Sequence, residues 1–456
     1  MSGLERLIPE GVLIVGAIAV LLSGGARPSR RAGVVPAAAV AAASAIATLV
    51  VGTGEPLFSG ALVYDDTAVV VRAAIGALSA VYLLWLSAQE PGPERRREAA
   101  VFVLLAALGG MLMASTRELI TLFIALELGT MPAYVLMGYR REDSRGLEGA
   151  LKYFLLSMTT SLVMLYGMSL LYAASGSTAY DAIGVGDPGL LGTFAVLFVF
   201  VGLLAKMSAA PFHYWAPDAY AGASAVSVAF VSTVPKVAGT VAFVRLAAVL
   251  MPSVPELGVA FAIASLASMV LGNLAAYPQS DIRRLMAYSG VAHAGYMLLA
   301  LAAATPAGYA AAVYYTLAYA VPSMAVMLVA AEEGSTVDDL AGLAARRPRH
   351  AWMMVAFLLS LIGIPPLVGF FGKLYVFLAA VDAGLAWLVV VAVLASVASA
   401  GYYFRLIRAM FFADAPERAA ARPGPLAGVA IALCLLATLL AGAFAGGLVG
   451  LLGLMF

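Results

Sequence analysis

An all-α polytopic membrane protein of about 14 transmembrane helices is what this sequence predicts, on three observations. The 456 residues are 63% hydrophobic and only 11% charged, with a mean hydropathy of +0.99, a balance no soluble domain of this length carries. The apolar residues fall into runs long enough to span a bilayer, about 20 residues each. The 26 basic residues are sorted by type: 22 are arginines, gathered mostly between the runs, and all four lysines lie inside them.

In chain order the runs cover 8–24, 33–52, 66–88, 97–115, 117–139, 146–174 and 189–210. They continue over 222–250, 256–276, 281–303, 306–331, 351–381, 383–412 and 425–454. The loops support this division. Those after odd-numbered runs carry Arg27, Arg30 and Arg31; Arg95, Arg96 and Arg97; Arg140, Arg141 and Arg145; Arg283 and Arg284; and Arg346, Arg347 and Arg349. Arg405, Arg408, Arg418 and Arg422 flank the last of them, and only the loop after run 7 has no basic residue. Even-numbered loops hold Asp65, Asp66, Asp181, Asp187, Glu256 and Asp382, with Arg117 their one basic residue of note. Cytoplasmic loops retain arginine, so the odd loops are expected inside and both termini on the outer face of a prokaryotic plasma (inner) membrane. The start, MSGLERLIPEGVLIVG, lacks a basic n-region and a small-residue cleavage site, so it is read as mature protein.

Proline breaks two runs. Pro211 follows Lys206 by five residues in run 7, and Pro365–Pro366 precede Lys373 by seven in run 12. Proline removes a backbone donor, and in lipid the freed carbonyl needs protein or water, so such breaks line hydrated cavities. Run 7 crosses in one direction and run 12 in the other. The pattern predicts one membrane domain (1–456) holding two inverted five-helix repeats, helices 4–8 (97–250) and 9–13 (256–412), flanked by 1–88 and 425–456.

The composition excludes several chemistries. A single Cys434 rules out an internal disulfide and a cysteine-held iron–sulfur cluster. His213, His293 and His350 are too scattered for a metal or haem motif, so no cofactor is expected in this chain. A net charge of +1 carries no message about nucleic acid, and the lipid bilayer is the evident surrounding.

What remains is buried charge. Glu127 is the carboxylate read as deep within a run, about ten residues from either end and so roughly 15 Å down. Insertion of such a group costs about 2.5–3.5 kcal/mol, so it should face the bundle and meet a partner. Lys206 is the expected partner. Desolvation disfavours a buried ammonium and a nearby carboxylate favours it, which makes the pair a proton switch rather than a brace. Lys236, beside Pro235, is read as an intermediate station and Lys373 as the terminal one. Lys152 lies near the start of run 6, four residues after Glu148, where a relay and an interfacial ion pair are both open. His293 and His213 are candidates for carrying a proton. His350 is read as a solvated loop residue, and the tyrosines and methionines as packing.

Several segments carry a resemblance: ALELGTMPAYVLMGY, LLAKMSAAPFHYWAPDAYAGA, VPKVAG, SDIRRLMAYSGVAHAGYM and GIPPLVGFFGKLYVF. Together they resemble the antiporter-like membrane subunits of respiratory complex I, from run 4 to run 13. By motif the family's helix-5 glutamate falls on Glu127, and its lysines of helices 7, 8 and 12 on Lys206, Lys236 and Lys373. Lysine at the last two positions resembles the N-type pattern rather than the M- or L-type. The chain departs from it at Ala221, where WAPDVYEGAP has a glutamate. The resemblance implies a proton-translocating subunit of an NADH:quinone oxidoreductase, with flavin, iron–sulfur clusters and quinone held by partner subunits and with other membrane-arm subunits as neighbours. A multisubunit cation/proton antiporter, a related hydrogenase or dehydrogenase, and a non-pumping scaffold are the alternatives.

Overall fold

The computed structural model describes residues 3–23, 34–89, 96–139, 143–183, 189–415 and 424–453. Within them the apolar runs fold as helices α1 (Ile8–Leu22), α2 (Val34–Val51), α3 (Asp66–Ser87), α4 (Arg96–Ser115), α5 (Leu119–Met137), α6 (Ser144–Ser175) and α7 (Tyr180–Ile183). There follow α8 (Gly189–Met207), α9 (Trp215–Gly222), α10 (Ala225–Val231), α11 (Val234–Leu250), α12 (Glu256–Ala276), α13 (Ile282–Ala302) and α14 (Pro306–Glu333). The chain ends in α15 (Leu343–Arg346), α16 (Pro348–Ile362), α17 (Val368–Asp382), α18 (Ala386–Phe412), α19 (Pro425–Ala443) and α20 (Ala445–Gly453). A short hairpin of β1 (Gly54–Leu57) and β2 (Leu62–Tyr64) joins α2 to α3. Arg27, Arg30, Arg31, Arg95, Arg140, Arg141, Asp187, Arg418 and Arg422 lie outside the described residues.

Twelve segments among the described residues are long and apolar enough to cross a membrane, counting α10 and α11 as one. The two other expected spans differ in form. The first is α1, a 15-residue helix entered through a 3₁₀ turn at Leu4–Leu7. The twelfth is two helices, α16 and α17, of 15 residues each. At 1.5 Å per residue each is about 22 Å long, too short to cross the roughly 30 Å apolar core alone.

Burial sorts the helices. The α10–α11, α13 and α14 segments are almost entirely enclosed, whereas only about a third of α18 and α19 is buried. Helices approach closely where glycine omits a side chain. A Cβ on Gly109 of α4 would lie 2.3 Å from the Gly129 nitrogen of α5, and one on Gly272 of α12 would lie 2.5 Å from the Ala292 nitrogen of α13. Small residues supply the close packing that lipid, being as apolar as leucine, cannot drive.

The two expected breaks share one backbone form. Each first half-helix ends on a left-handed residue, Ser208 (φ 58°) and Gly363 (φ 95°). The next residue folds back: the Ala209 N–H reaches Leu204 O at 2.9 Å, and the Ile364 N–H reaches Leu359 O at 3.0 Å. These are the C-terminal closures that satisfy orphan helix carbonyls. A third break was not expected. It falls at Ser232–Thr233, between α10 and α11, and Pro235 explains it: proline has no N–H for the carbonyl of Val231 and its ring crowds that turn.

The starts of α5 and α13 match as well. Glu118 caps α5 and Asp281 caps α13, each side chain accepting two backbone N–H bonds. Leu119 N–H bonds Thr178 O (2.9 Å) and Tyr180 N–H bonds Arg117 O (3.0 Å); likewise Ile282 N–H bonds Ser335 O (2.7 Å) and Val337 N–H bonds Ser280 O (3.0 Å).

Arg72 and Arg245 are buried inside spans, each in an ion pair. Arg72 of α3 is fully buried and holds both oxygens of Glu10 at 2.7 Å. Glu10 is therefore a second buried carboxylate beside Glu127. Arg245 of α11 makes a two-pronged pair with Asp65 (2.6 and 2.7 Å) and donates through Nε to Ala114 O at 2.8 Å, tying α11 to the start of α3 and the end of α4. Burial alone would raise the Asp65 carboxyl, but the Arg245 guanidinium and the Ala68 N–H hold it below the usual aspartate value. Its stabilisation is thus present above the unfolded-state pKa and is lost as pH falls through the lowered one. Asp65→Asn should cost about 3 kcal/mol at neutral pH, the lower end for a broken buried pair because Asp65 keeps some solvent contact. Thermal unfolding of the purified chain in detergent reads this, and the gap to the parent should narrow as pH drops into the acid range.

His350 is not a solvated loop residue. It folds under α14, its Nε2 3.4 Å from Glu332, in a part-buried cluster with Arg346 and Arg347 against Glu333 and Trp85 against Glu332.

Candidate functional site

Five of the seven candidate residues are buried in the middle of the bundle: Glu127, Lys206, Lys236, His293 and Lys373. The three lysines are set at helix ends or breaks, whereas Glu127 and His293 lie in the middle of α5 and α13.

Lys206 is the last residue but one of α8, where unsatisfied carbonyls give the helix end a partial negative charge. Its stem runs past Gly239 of α11, where a Cβ would lie 2.7 Å from Lys206 Cγ. Its ammonium donates to the hydroxyl of Thr130 on α5. Glu127, one turn earlier on α5, is buried with no hydrogen-bond partner on either oxygen among the described residues. No ion pair joins it to Lys206 within 4 Å, so the expected partnership is not formed: the lysine rests on Thr130, whose hydroxyl donates to Leu126 O. Sequence reasoning missed Thr130, although its spacing from Glu127 (i, i+3) was the available signal.

Lys373 reaches the other break from its far side. Its Nζ donates to Leu361 O (3.1 Å), Ile362 O (2.8 Å) and Ser396 Oγ (2.7 Å). The two carbonyls are those whose helical donors would be the N–H groups of residues 365 and 366, both proline. Both broken spans therefore set a lysine at the negative end of their first half-helix, Lys206 from within α8 and Lys373 across the break from α17.

Between them lie Lys236 and His293, within an aromatic cluster. Lys236 Nζ is 5.5 Å from the ring centre of Tyr319. It occupies space left by Gly290, where a Cβ would come within 2.7 Å of it. The Tyr319 ring is 4.7 Å from that of His293, whose Nδ1 is 2.7 Å from the Tyr315 hydroxyl. On the other side Tyr296 packs edge-on to His293 at 5.8 Å, and Lys373 Nζ sits 4.9 Å from its ring centre. These tyrosines, read from sequence as packing, enclose the histidine and bridge two lysines.

The matched caps give a register between α5 and α13. Glu127 and Gly290 lie nine residues after their caps, Thr130 and His293 twelve. Helix α5 has a carboxylate where α13 has a glycine that admits Lys236, and a hydroxyl against lysine where α13 has an imidazole against tyrosine.

Lys152 and His213 stand apart from this row. Lys152 is exposed and pairs with Glu148 at 2.8 Å, the i, i+4 arrangement, and with Asp218 of α9 at 3.5 Å. It lines a polar cavity of about 460 Å³ with Arg145, Asp218, Asp281 and Arg284. His213 is half-buried in the turn between α8 and α9, its Nδ1 without a partner among the described residues. Among those residues no group of three or more His, Cys, Asp or Glu is placed to hold a metal.

Comparison with known proteins follows the same segments. Residues 116–399 match the family described as NADH:quinone oxidoreductase/Mrp antiporter, TM. The chain is 38% identical over 443 residues to the NADH-quinone oxidoreductase subunit N of Erythrobacter litoralis, covering 91% of this chain and 90% of that one. Among solved structures it is similar to a chain of respiratory complex I from Thermus thermophilus with bound Aureothin (34% identity, TM-score 0.84, 97% and 98% of the two chains). A chain of the Mrp complex from Dietzia sp. shares the fold at 22% identity and TM-score 0.84, over 99% and 97%.

Proposed function

Because the chain belongs to the NADH:quinone oxidoreductase/Mrp antiporter family of transmembrane proteins, we propose that it is the N-type proton-translocating subunit of a complex I-type NADH:quinone oxidoreductase. Electrons pass from NADH to quinone in partner subunits that hold flavin and iron–sulfur clusters, and this chain moves protons in response. The observation that carries the reading is the buried row itself. Lys206 rests on Thr130 of α5 and its stem lies against Gly239 of α11, three residues along from Lys236, while Lys236, Tyr319, His293, Tyr296 and Lys373 follow one another at 4.7–5.8 Å. Three lysines buried at helix breaks are costly as packing, and in membranes such groups mark ion pathways.

In this reading a charge or shape change beside Glu127 alters the hold on Lys206. Lys206 passes a proton to Lys236, and the His293 cluster and intervening water carry one on to Lys373, which releases it to the outer face. Lys152, Asp218 and His213 serve the cytoplasmic entrance. The arginine-rich odd loops support a cytoplasmic assignment of that face, with both termini outside. The paired caps and the paired breaks support two repeats, helices 4–8 and 9–13. Five crossings separate the start of α5 from that of α13, so the matched bridges lie on opposite faces, as inversion requires.

The test is gentle purification of the tagged chain with mass spectrometry of its companions. Flavin- and iron–sulfur-bearing subunits are expected, with quinone-dependent proton uptake by vesicles carrying the complex. Recovery of small antiporter subunits and no redox protein would overturn the reading in favour of a cation/proton exchanger.

A further inference from the structure

Lys206 has two acceptors within reach of one helix face, and the structure occupies the neutral one. Its ammonium rests on Thr130 Oγ1, while the Glu127 carboxylate one turn away is buried and unpartnered. Residues at i and i+3 lie about 5–6 Å apart on a helix. A four-carbon stem can swing across that gap, and Gly239 keeps its opposite side clear.

The two acceptors differ in what they can hold. A carboxylate only accepts hydrogen bonds, so Glu127 partners Lys206 only while the lysine is charged. A hydroxyl both accepts and donates. Thr130 now donates to Leu126 O at 2.5 Å and accepts from the lysine. When Lys206 gives up its proton, the same hydroxyl can turn and donate to the amine, because Leu126 O keeps its backbone donor in the helix. Thr130 therefore holds the lysine in both charge states, and Glu127 in one.

We infer that Thr130 is the positioning residue of the Lys206 switch: it competes with Glu127 for the lysine and holds it in the separated state from which the proton leaves. The inference rests on the functional reading above. Without the hydroxyl, Lys206 has Glu127 as its only partner and is retained there as the ammonium.

The experiment uses the assembled complex in vesicles and measures protons moved per quinone reduced, together with the initial rate. Thr130→Val keeps the side chain's shape and removes the hydroxyl. It should slow proton uptake about tenfold, the population shift expected from one lost hydrogen bond to a charged group. Thr130→Ser restores the hydroxyl and should return uptake to within about twofold of the parent, since the bond is regained. In a Glu127→Gln background, where the competing charge is gone, adding Thr130→Val should change uptake little. Thr130→Ala replaces the valine variant if that one fails to assemble.

Parent-like uptake in both the valine and alanine variants would overturn the inference. So would equal damage from serine, which marks a packing role, or full additivity with Glu127→Gln. The wild-type complex separates this from the wider reading. If it reduces quinone without moving protons, the proposed function fails; if it pumps and Thr130→Val pumps equally, only the role of Thr130 fails.

Discussion

Lys373→Arg is expected to leave the complex assembled and nearly as stable as the parent while proton uptake falls at least about tenfold, equivalent to a barrier rise of about 1.4 kcal/mol or more. The reason lies in the second break. Pro365 and Pro366 deprive Leu361 O and Ile362 O of their helical donors, and Lys373 Nζ supplies both, with Ser396 Oγ as its third acceptor. An ammonium has three N–H groups and all three are used. A guanidinium can cap the same carbonyls from the same direction, so the fold is kept. It does not release its proton, so the station is fixed in its charged form. Lys373→Met is the complementary case. It leaves Leu361 O without a donor, at about 1–3 kcal/mol, and Ile362 O with Ser396 Oγ alone, so both stability and uptake should fall. Comparing the two separates what the lysine does for the break from what it does for the proton. Parent-like uptake by the arginine variant would show that no titration at residue 373 is needed.

The sequence made the spans and the two proline breaks readable because lipid requires long apolar runs and because proline acts on the backbone locally. It concealed which face each helix turns inward. In a helix apolar on every side, hydrophobicity no longer marks the buried stripe. Thr130 and Thr159 are alike in a list of residues, yet one meets Lys206 and the other bonds only its own helix, to Leu155 O at 2.8 Å. The tyrosines around His293 were hidden for the same reason, and because an aromatic ring in a span is ordinary packing until a polar neighbour is placed beside its hydroxyl. Arg72 and Arg245 escaped because their partners, Glu10 and Asp65, are far away in sequence and near only in the fold. Pro235 carries the signal for the break between α10 and α11, since it offers no N–H to the carbonyl of Val231.

His293→Phe should assemble normally and lose most proton uptake, because the ring is kept and the nitrogens are not. The histidine is the central member of the row between Lys236 and Lys373. Its Nδ1 lies 2.7 Å from Tyr315 OH, and its ring is flanked by Tyr319 at 4.7 Å and Tyr296 at 5.8 Å, each of which faces one of the lysines. An imidazole can accept a proton at one nitrogen while releasing one from the other, which neither a phenyl nor a phenol does near neutral pH. Phenylalanine fills the same aromatic space and leaves the Tyr315 hydroxyl unpaired, at about 1–3 kcal/mol, so a modest fall in thermal stability should accompany the loss of transport. Tyr315→Phe is the control for that bond. It removes the hydrogen bond and keeps the imidazole, and uptake should fall only a few-fold, the effect of losing about 1 kcal/mol of orientation. Gly290→Ala probes the same segment from the lysine side, since the added methyl meets Lys236 Nζ at 2.7 Å and Tyr319 OH at 2.9 Å and must move the flexible amine. If His293→Phe pumps at the parent rate while Lys373→Arg does not, protons reach Lys373 without passing the imidazole, and Lys236 and Lys373 belong to separate paths that share only the bundle around them.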